Sequence, residues 1–307
     1  MKIRNKKCII TGSAQGLGKA FAKILLDQGA QICISDINEK VAISTLQEFE
    51  SIYGKQNVYF VKCDVANEEE FTNLFNEAEK YFKVDCVDIL VNNAGINTNF
   101  GWKKCMDVNI MGVMIGSGIA LKRMKENPNK GSIINISSMA GQLTFVGEYI
   151  ASYTVSKWGV VVLTRSLALE YEYHGVSVKA LCPAWAGTEI MSFSDAMPSH
   201  LKECIEKSIK TVGLMSLDYV AEGFYKLATE CDNGSVMMVT KNVPYTIIPD
   251  TAKMKILGIA IVAKIIGKIC GINLVSVHHQ KLFILMFTIF LCILLCTSLC
   301  AILQYIF

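Results

Sequence analysis

Tyr153 and Lys157 stand four residues apart in SYTVSK, the interval that puts two side chains on one face of a helix. A free phenol titrates near about pH 10 and is a poor base at neutral pH. A neighbouring cation favours the phenolate. The pair therefore reads as an acid/base unit. The tyrosine would take a proton from an alcohol while hydride leaves the same carbon, or give one to a carbonyl in the reverse direction. Ser137 and Ser138 follow an apolar run, Ser132–Ile136, where a hydroxyl can hold the substrate oxygen. Two turn serines after a strand look the same in sequence. Asn109 lies inside a helical pattern, where asparagine is a poor choice and calls for a role.

A second set of residues points to phosphate chemistry. Thr11-Gly12-Ser13-Ala14-Gln15-Gly16-Leu17-Gly18 joins an apolar strand to a helical pattern. Glycines there allow a tight turn and close approach of the backbone to a pyrophosphate, and the helix start offers free N–H groups. Asp36 ends the second strand, where an acid accepts hydrogen bonds from a ribose 2′-hydroxyl and repels a 2′-phosphate. No Lys or Arg inside the turn offsets that repulsion, so NAD is expected over NADP. In SDINEK the same Asp36 can also serve as a helix N-cap. Asp64 follows the third strand at the same rim, and Asn92-Asn93-Ala94-Gly95 follows another; each is also an ordinary turn sequence.

The elements that must position these groups alternate. Strands are expected at Lys7–Ile10, Gln31–Ser35, Val58–Val61, Ile89–Val91, Ser132–Ile136, Val176–Leu181 and Val236–Val239. Helices are expected at Leu17–Gln28, Lys40–Ile52, Glu68–Phe82, Lys104–Lys125 and Ser152–Tyr173. Strands separated by helices imply right-handed crossovers and one parallel sheet, a single Rossmann-type doubly wound α/β fold with helices on both faces. Pro183–Gly213 is irregular and reads as a mobile lid, with Met191, Phe193, Met197 and Leu201 as its apolar face. No His/Cys/Glu cluster has metal-ligand spacing, so no metal is expected.

The chain has 307 residues, 52% of them hydrophobic and 19% charged, with 30 Lys+Arg against 27 Asp+Glu. This charge balance gives no sign of a nucleic-acid partner, and none is expected. A mean hydropathy of +0.37 is high for a soluble enzyme, and the excess lies at the end of the chain. Leu282–Leu303 reads LFILMFTIFLCILLCTSLCAIL without a charge, enough helix for the roughly 30 Å of a bilayer core. It is expected to be a transmembrane helix. Residues 256–275 precede it, and their Lys264 and Lys268 share one helix face, as in a helix lying on the membrane surface. Lys253, Lys255, Lys264, Lys268 and Lys281 all precede the apolar run and no Lys or Arg follows, which places the N-terminal part in the cytosol. The short apolar run after Lys7 is too brief for a secretory signal. The 12 Cys, without a CxxC, read as free thiols. The expected organisation is a dinucleotide-binding domain at 1–248, a basic and apolar linker at 249–281, and the membrane helix at 282–303.

The order TGSAQGLG, Asp36, Asp64-Val65, NNAG, Asn109, Ser138, Tyr153-Lys157, Pro183 resembles the short-chain dehydrogenase/reductase family over about residues 5–245. NNAGINTNFGWKKCMDVNIMGV, GSIINISSMAG and DNGSVMMVT resemble its NAD-dependent 15-hydroxyprostaglandin dehydrogenase and insect alcohol dehydrogenase-like branch. The resemblance implies that Gly12, Gly16, Leu17 and Gly18 line the pyrophosphate and Asp36 holds the adenosine ribose. Asp64 and Val65 would face the adenine, with Asn92, Ala94 and Gly95 forming the adjoining wall. Pro183 and Thr188 would border the nicotinamide. Ser138 would orient the substrate oxygen, and Tyr153 would be the acid/base. Lys157 would bind the nicotinamide ribose, and Asn109 would hold a water linking Lys157 to solvent. It implies NAD-dependent oxidation of a secondary alcohol on an apolar small molecule, a homodimer or homotetramer, and no metal. NADPH-dependent carbonyl reduction and a non-catalytic NAD-binding membrane protein are the alternatives. Three features depart from the family: Ala184 after Pro183, a longer interval between Ser138 and Tyr153, and the apolar tail.

Overall fold

Ile9 and Ile10 are adjacent in a strand, so their side chains leave opposite faces of a sheet. Each is fully buried, Ile10 in an apolar cluster with Phe21, Phe49 and Phe224, and Ile9 in another with Phe71, Leu74 and Phe75. A strand buried on both faces belongs to a parallel sheet covered by helices on each side. The computed structural model describes residues 1–250 except 129, 143–146, 192–196 and 244. The chain divides into two compact units, Met1–Ile248 and Pro249–Phe307. Of the second, only Pro249 and Asp250 are described.

In chain order the elements are β1 (Lys7–Thr11), α1 (Gly16–Asp27), β2 (Gln31–Asp36), α2 (Glu39–Tyr53), β3 (Val58–Lys62), α3 (Glu68–Phe82) and β4 (Ile89–Asn92). Then come α4 (Trp102–Met106), a π turn at Asp107–Met111, α5 (Gly112–Met124), β5 (Ser132–Ile136) and α6 (Glu148–Tyr171). The described part closes with β6 (Ser177–Pro183), α7 (Ser199–Val212), α8 (Leu217–Glu230), β7 (Val236–Val239) and β8 (Thr246–Ile247). The strands form one sheet in the order β3-β2-β1-β4-β5-β6-β7-β8. All pairs are parallel except β7 with β8. The order reverses between β1 and β4, and a crevice opens at the carboxyl ends of strands at such a switch point.

Local sequence explains why these segments form helices. Asn67 caps α3 by accepting from Glu69 and Glu70 N–H, and Glu68, Glu69 and Glu70 set negative charge on the positive end of its dipole. Ser216 caps α8 through Tyr219 N–H. One face of α8 packs on α1, where Phe21 and Phe224 stack with ring centroids 4.4 Å apart.

The structure corrects the expected element map in three places. Helix α8 supplies the crossover from β6 to β7, and β8 adds an antiparallel edge; neither was anticipated. Part of the segment expected to be irregular is the regular helix α7. The helix expected at Lys104–Lys125 is present as one run, Trp102–Met124, with the π turn that contains Asn109 inside it. The run Trp102–Met124 is the only helix among the described residues apolar and long enough to cross a membrane, and half of that window is buried in the fold, as in a core helix. The surface helix expected at 256–275 and the membrane helix at Leu282–Leu303 lie outside the described residues.

Candidate active site

A cleft of about 520 Å³ runs along the carboxyl ends of β1 to β6. At one end lies the glycine turn. Gly12 (φ +62) and Gly16 (φ +58) occupy the left-handed region open to glycine. A Cβ on Gly12 would stand 2.7 Å from Ala94 Cα, and one on Gly18 would stand 2.2 Å from Gly12 O. The turn thus packs directly on the chain after β4 and leaves its outer surface to the cleft. Gly12, Gly16, Leu17 and Gly18 all line that cleft. Asn93 braces the turn, its Nδ2 donating to Thr11 O at 2.8 Å and to Gly12 O at 2.9 Å.

Asp36 lies beside the turn. Its carboxylate accepts from Ala14 N–H at 3.1 Å and from Asn38 N–H at 3.0 Å. The cap of α2 is Asn38, so Asp36 is left on the cleft wall. Asp64 accepts from Ala66 N–H and pairs with Lys104 Nζ at 3.0 Å. Against the push of partial burial, these partners hold its carboxyl below the usual range. Val65, Ala94, Gly95, Pro183 and Thr188 also line the cleft.

Asn92 does not. It is 2% exposed and donates from Nδ2 to Ser117 Oγ at 3.1 Å and Asn135 Oδ1 at 2.9 Å, behind the sheet edge. Asn93, one residue on, takes the cleft position expected of Asn92, because β4 ends between them. Cys63, Ile37, Lys104, Trp185 and Glu189 are further cleft residues that were not anticipated.

Ser138, Tyr153 and Lys157 meet at the other end. Ser138 Oγ accepts from Ala140 N–H at 3.1 Å and stands close enough to the Tyr153 hydroxyl to influence its titration. Lys157 Nζ donates to Ile136 O at 3.0 Å and lies 5.8 Å from the centroid of the Tyr153 ring. Part of the Tyr153 ring faces the open cleft. Even so, protein surrounds its hydroxyl closely enough that burial pushes it up to about 12, with Ser138 acting the other way. Burial pulls the Lys157 ammonium down to about 8. The expected lowering of Tyr153 by Lys157 is not found: burial raises the phenol, and the opposing influence comes from Ser138.

Asn109 does not line the cleft. It is fully buried in the π turn and fixes the loop after β4 at both backbone groups of Ile96, accepting from N–H at 2.8 Å and donating to the carbonyl at 2.9 Å. Its Nδ2 also reaches Ser156 Oγ at 3.2 Å, and Ser156 in turn donates to Tyr153 O. A Cβ on Gly95 would stand 3.4 Å from both Asn109 Oδ1 and Lys157 Nζ, so the two groups converge there. Of the expected lid residues, Met191 lines the cleft, Met197 is buried elsewhere, and Leu201 stands against Gly147. Phe193 lies outside the described residues.

A dinucleotide-type cradle joined to a Ser-Tyr-Lys cluster at the rim of a doubly wound sheet defines an oxidoreductase class. The family model of the short chain dehydrogenases matches residues 6–198, and the chain belongs to that family. It is 32% identical to the NAD(+) 15-hydroxyprostaglandin dehydrogenase of Homo sapiens over 250 residues, covering 78% of this chain and 92% of that one. It is 31% identical to zerumbone synthase of Zingiber zerumbet, covering 75% and 90%. A putative gluconate dehydrogenase from Agrobacterium tumefaciens superposes with a TM-score of 0.67 at 28% identity, covering 78% and 95%. Levodione reductase, at 24% identity and a TM-score of 0.69 over 77% and 96%, shares the fold.

Proposed function

We propose that the protein is an NAD-dependent dehydrogenase that oxidises a secondary alcohol on an apolar small molecule to a ketone. The observation that carries this is the single cleft that joins the glycine cradle and Asp36 to Ser138, Tyr153 and Lys157. Gly12, Gly16, Leu17, Gly18 and Asp36 would hold the pyrophosphate and adenosine ribose, Asp64, Val65, Ala94 and Gly95 the adenine, and Pro183 and Thr188 the nicotinamide. Bound there, NAD would supply the acceptor for the hydride that leaves the carbinol carbon. Ser138 holds the alcohol oxygen and Tyr153 takes its proton. Lys157 orients the nicotinamide ribose and, while charged, favours the tyrosinate. Asn109 sets the height of the Ile96 loop and of Tyr153 through Ser156. The carboxylate of Asp36 supports NAD over NADP, and so oxidation over NADPH-dependent reduction.

Two further parts belong to this proposal. The outer face of α6 exposes Val155, Trp158, Val162 and Leu169, an apolar stripe that a second copy of this chain would cover. Leu282–Leu303 would anchor the enzyme to a bilayer with its catalytic domain in the cytosol, supplying a lipid-soluble substrate; deletion of 250–307 should release it from membranes. The activity itself is tested by following NADH formation from purified protein and NAD over a panel of hydroxylated lipids, steroids and isoprenoid alcohols. No NADH from any of them would overturn the proposal.

A further inference from the structure

The cleft carries an ion pair that the chemistry at Tyr153 does not use. Cys63 N–H donates to Asp36 O at 3.3 Å, so the chain leaving β3 continues the rim past the acid at the end of β2. Asp64 is the next residue on that rim. Its Oδ1 accepts from Ala66 N–H at 3.0 Å, and its Oδ2 accepts from Lys104 Nζ at 3.0 Å. Lys104 comes from α4 and lines the cleft with Val108, four residues further along the same run. Ile37 and Val65 add apolar surface to the lining.

The side chains of Lys104 and Asp64 are 45% and 26% exposed, and an ion pair that open adds little to stability. What it presents to the cleft is more telling. Each carboxylate oxygen can accept a second hydrogen bond, and Lys104 spends one of its three N–H groups among the described residues. An acceptor therefore stands beside a donor. With pyrophosphate on the glycine turn and ribose on Asp36, the base of a dinucleotide reaches this rim. Adenine's pairing edge is the complement, since its amino group donates and the adjacent N1 accepts. Hypoxanthine has the opposite polarity, with an accepting O6 and a donating N1–H. It would set oxygen against carboxylate and N–H against ammonium.

Resting on the reading of this cleft as the NAD site, we infer that Lys104 is a specificity-determining residue for the base. It donates to adenine N1 while Asp64 accepts from the amino group. Asp64 alone tells an amino group from a carbonyl; Lys104 adds discrimination between a bare N1 and a protonated one. The pair thereby selects an adenine dinucleotide over its hypoxanthine counterpart.

The test is calorimetric titration of the full-length protein with NAD and with nicotinamide hypoxanthine dinucleotide, which differs from NAD only at position 6 and N1 of the base. NAD should bind more tightly by about tenfold or more. Lys104→Met, which keeps the apolar stem, should weaken NAD binding and narrow that ratio. Lys104→Arg, which keeps a donor, should hold the ratio near the parental value. Equal affinities in the parent would overturn the inference. So would a Lys104→Met protein that loses affinity for both dinucleotides equally, because Lys104 would then only brace Asp64. A parent that binds neither dinucleotide would instead overturn the reading of the cleft as the NAD site, and this inference with it.

Discussion

Lys157 lies beside the ring of Tyr153, its Nζ 5.8 Å from the ring centroid and bonded to Ile136 O at 3.0 Å. The two groups share one face of α6, one helical turn apart, and both are desolvated. Burial disfavours the charge on each, so the free protein holds Tyr153 as a neutral phenol and Lys157 as an easily discharged ammonium. Such a pair is costly to build into a fold and is a recurrent mark of function.

That cost can be read as stability. Folding lowers Lys157 from 10.5 to about 8. Between those values the folded state binds fewer protons than the unfolded one, so this group's contribution to stability rises with pH across that window and its penalty is full below it. Lys157→Met should abolish turnover and raise Tm at neutral pH. The difference in Tm from the parent should shrink as pH rises from about 8 toward 10.5. A variant less stable than the parent at neutral pH would contradict the assigned cost.

Gly18 tests the cradle. A Cβ there would stand 2.2 Å from Gly12 O and 2.5 Å from Asn93 Nδ2, whereas one on Gly118 meets nothing within 4 Å. Gly18→Ala should lower Tm by about 5 °C and weaken NAD binding by about tenfold or more. Gly118→Ala, in the interior of α5, should leave NAD binding intact and add about 1 kcal/mol of stability. Calorimetry with NAD and thermal melts check both.

Asp36 sets cofactor choice through its carboxylate. Asp36→Ala should lower the ratio of kcat/KM for NAD over NADP by about tenfold or more. Much of the change should lie in KM, because the residue is far from the reacting groups. An unchanged ratio would remove Asp36 from the ribose site.

Val162 is 62% exposed at the centre of the apolar stripe on α6. Val162→Lys should convert the proposed homodimer to a monomer in sedimentation equilibrium while leaving the fold intact. A parent protein that is already monomeric would overturn the proposed dimer.

The fold was legible where hydrophobic pattern and punctuation agreed. Glu68–Phe82, Ser132–Ile136 and Val236–Val239 have the same bounds in sequence and structure. Helix α8 was equally legible: Leu217, Val220, Ala221, Phe224, Leu227 and Ala228 fall at helical spacing behind the Ser216 cap. The exchange of Asn92 for Asn93 was not legible, because a one-residue difference in where β4 ends moves one side chain behind the sheet and the other into the cleft. Nor was the balance at Tyr153. Spacing shows that a cation is near, but the depth of burial, which decides the sign of the shift, is set by tertiary packing that spacing does not carry.

The most direct measurement of the central claim compares the parent with Tyr153→Phe. Both are titrated with NAD and then assayed for NADH formation with a neutral secondary alcohol that the parent oxidises. Tyr153→Phe should bind NAD with parental affinity and lose about 10³-fold or more in kcat. A variant that binds NAD and turns over at the parental rate would contradict the role given to Tyr153, and with it the account of the site.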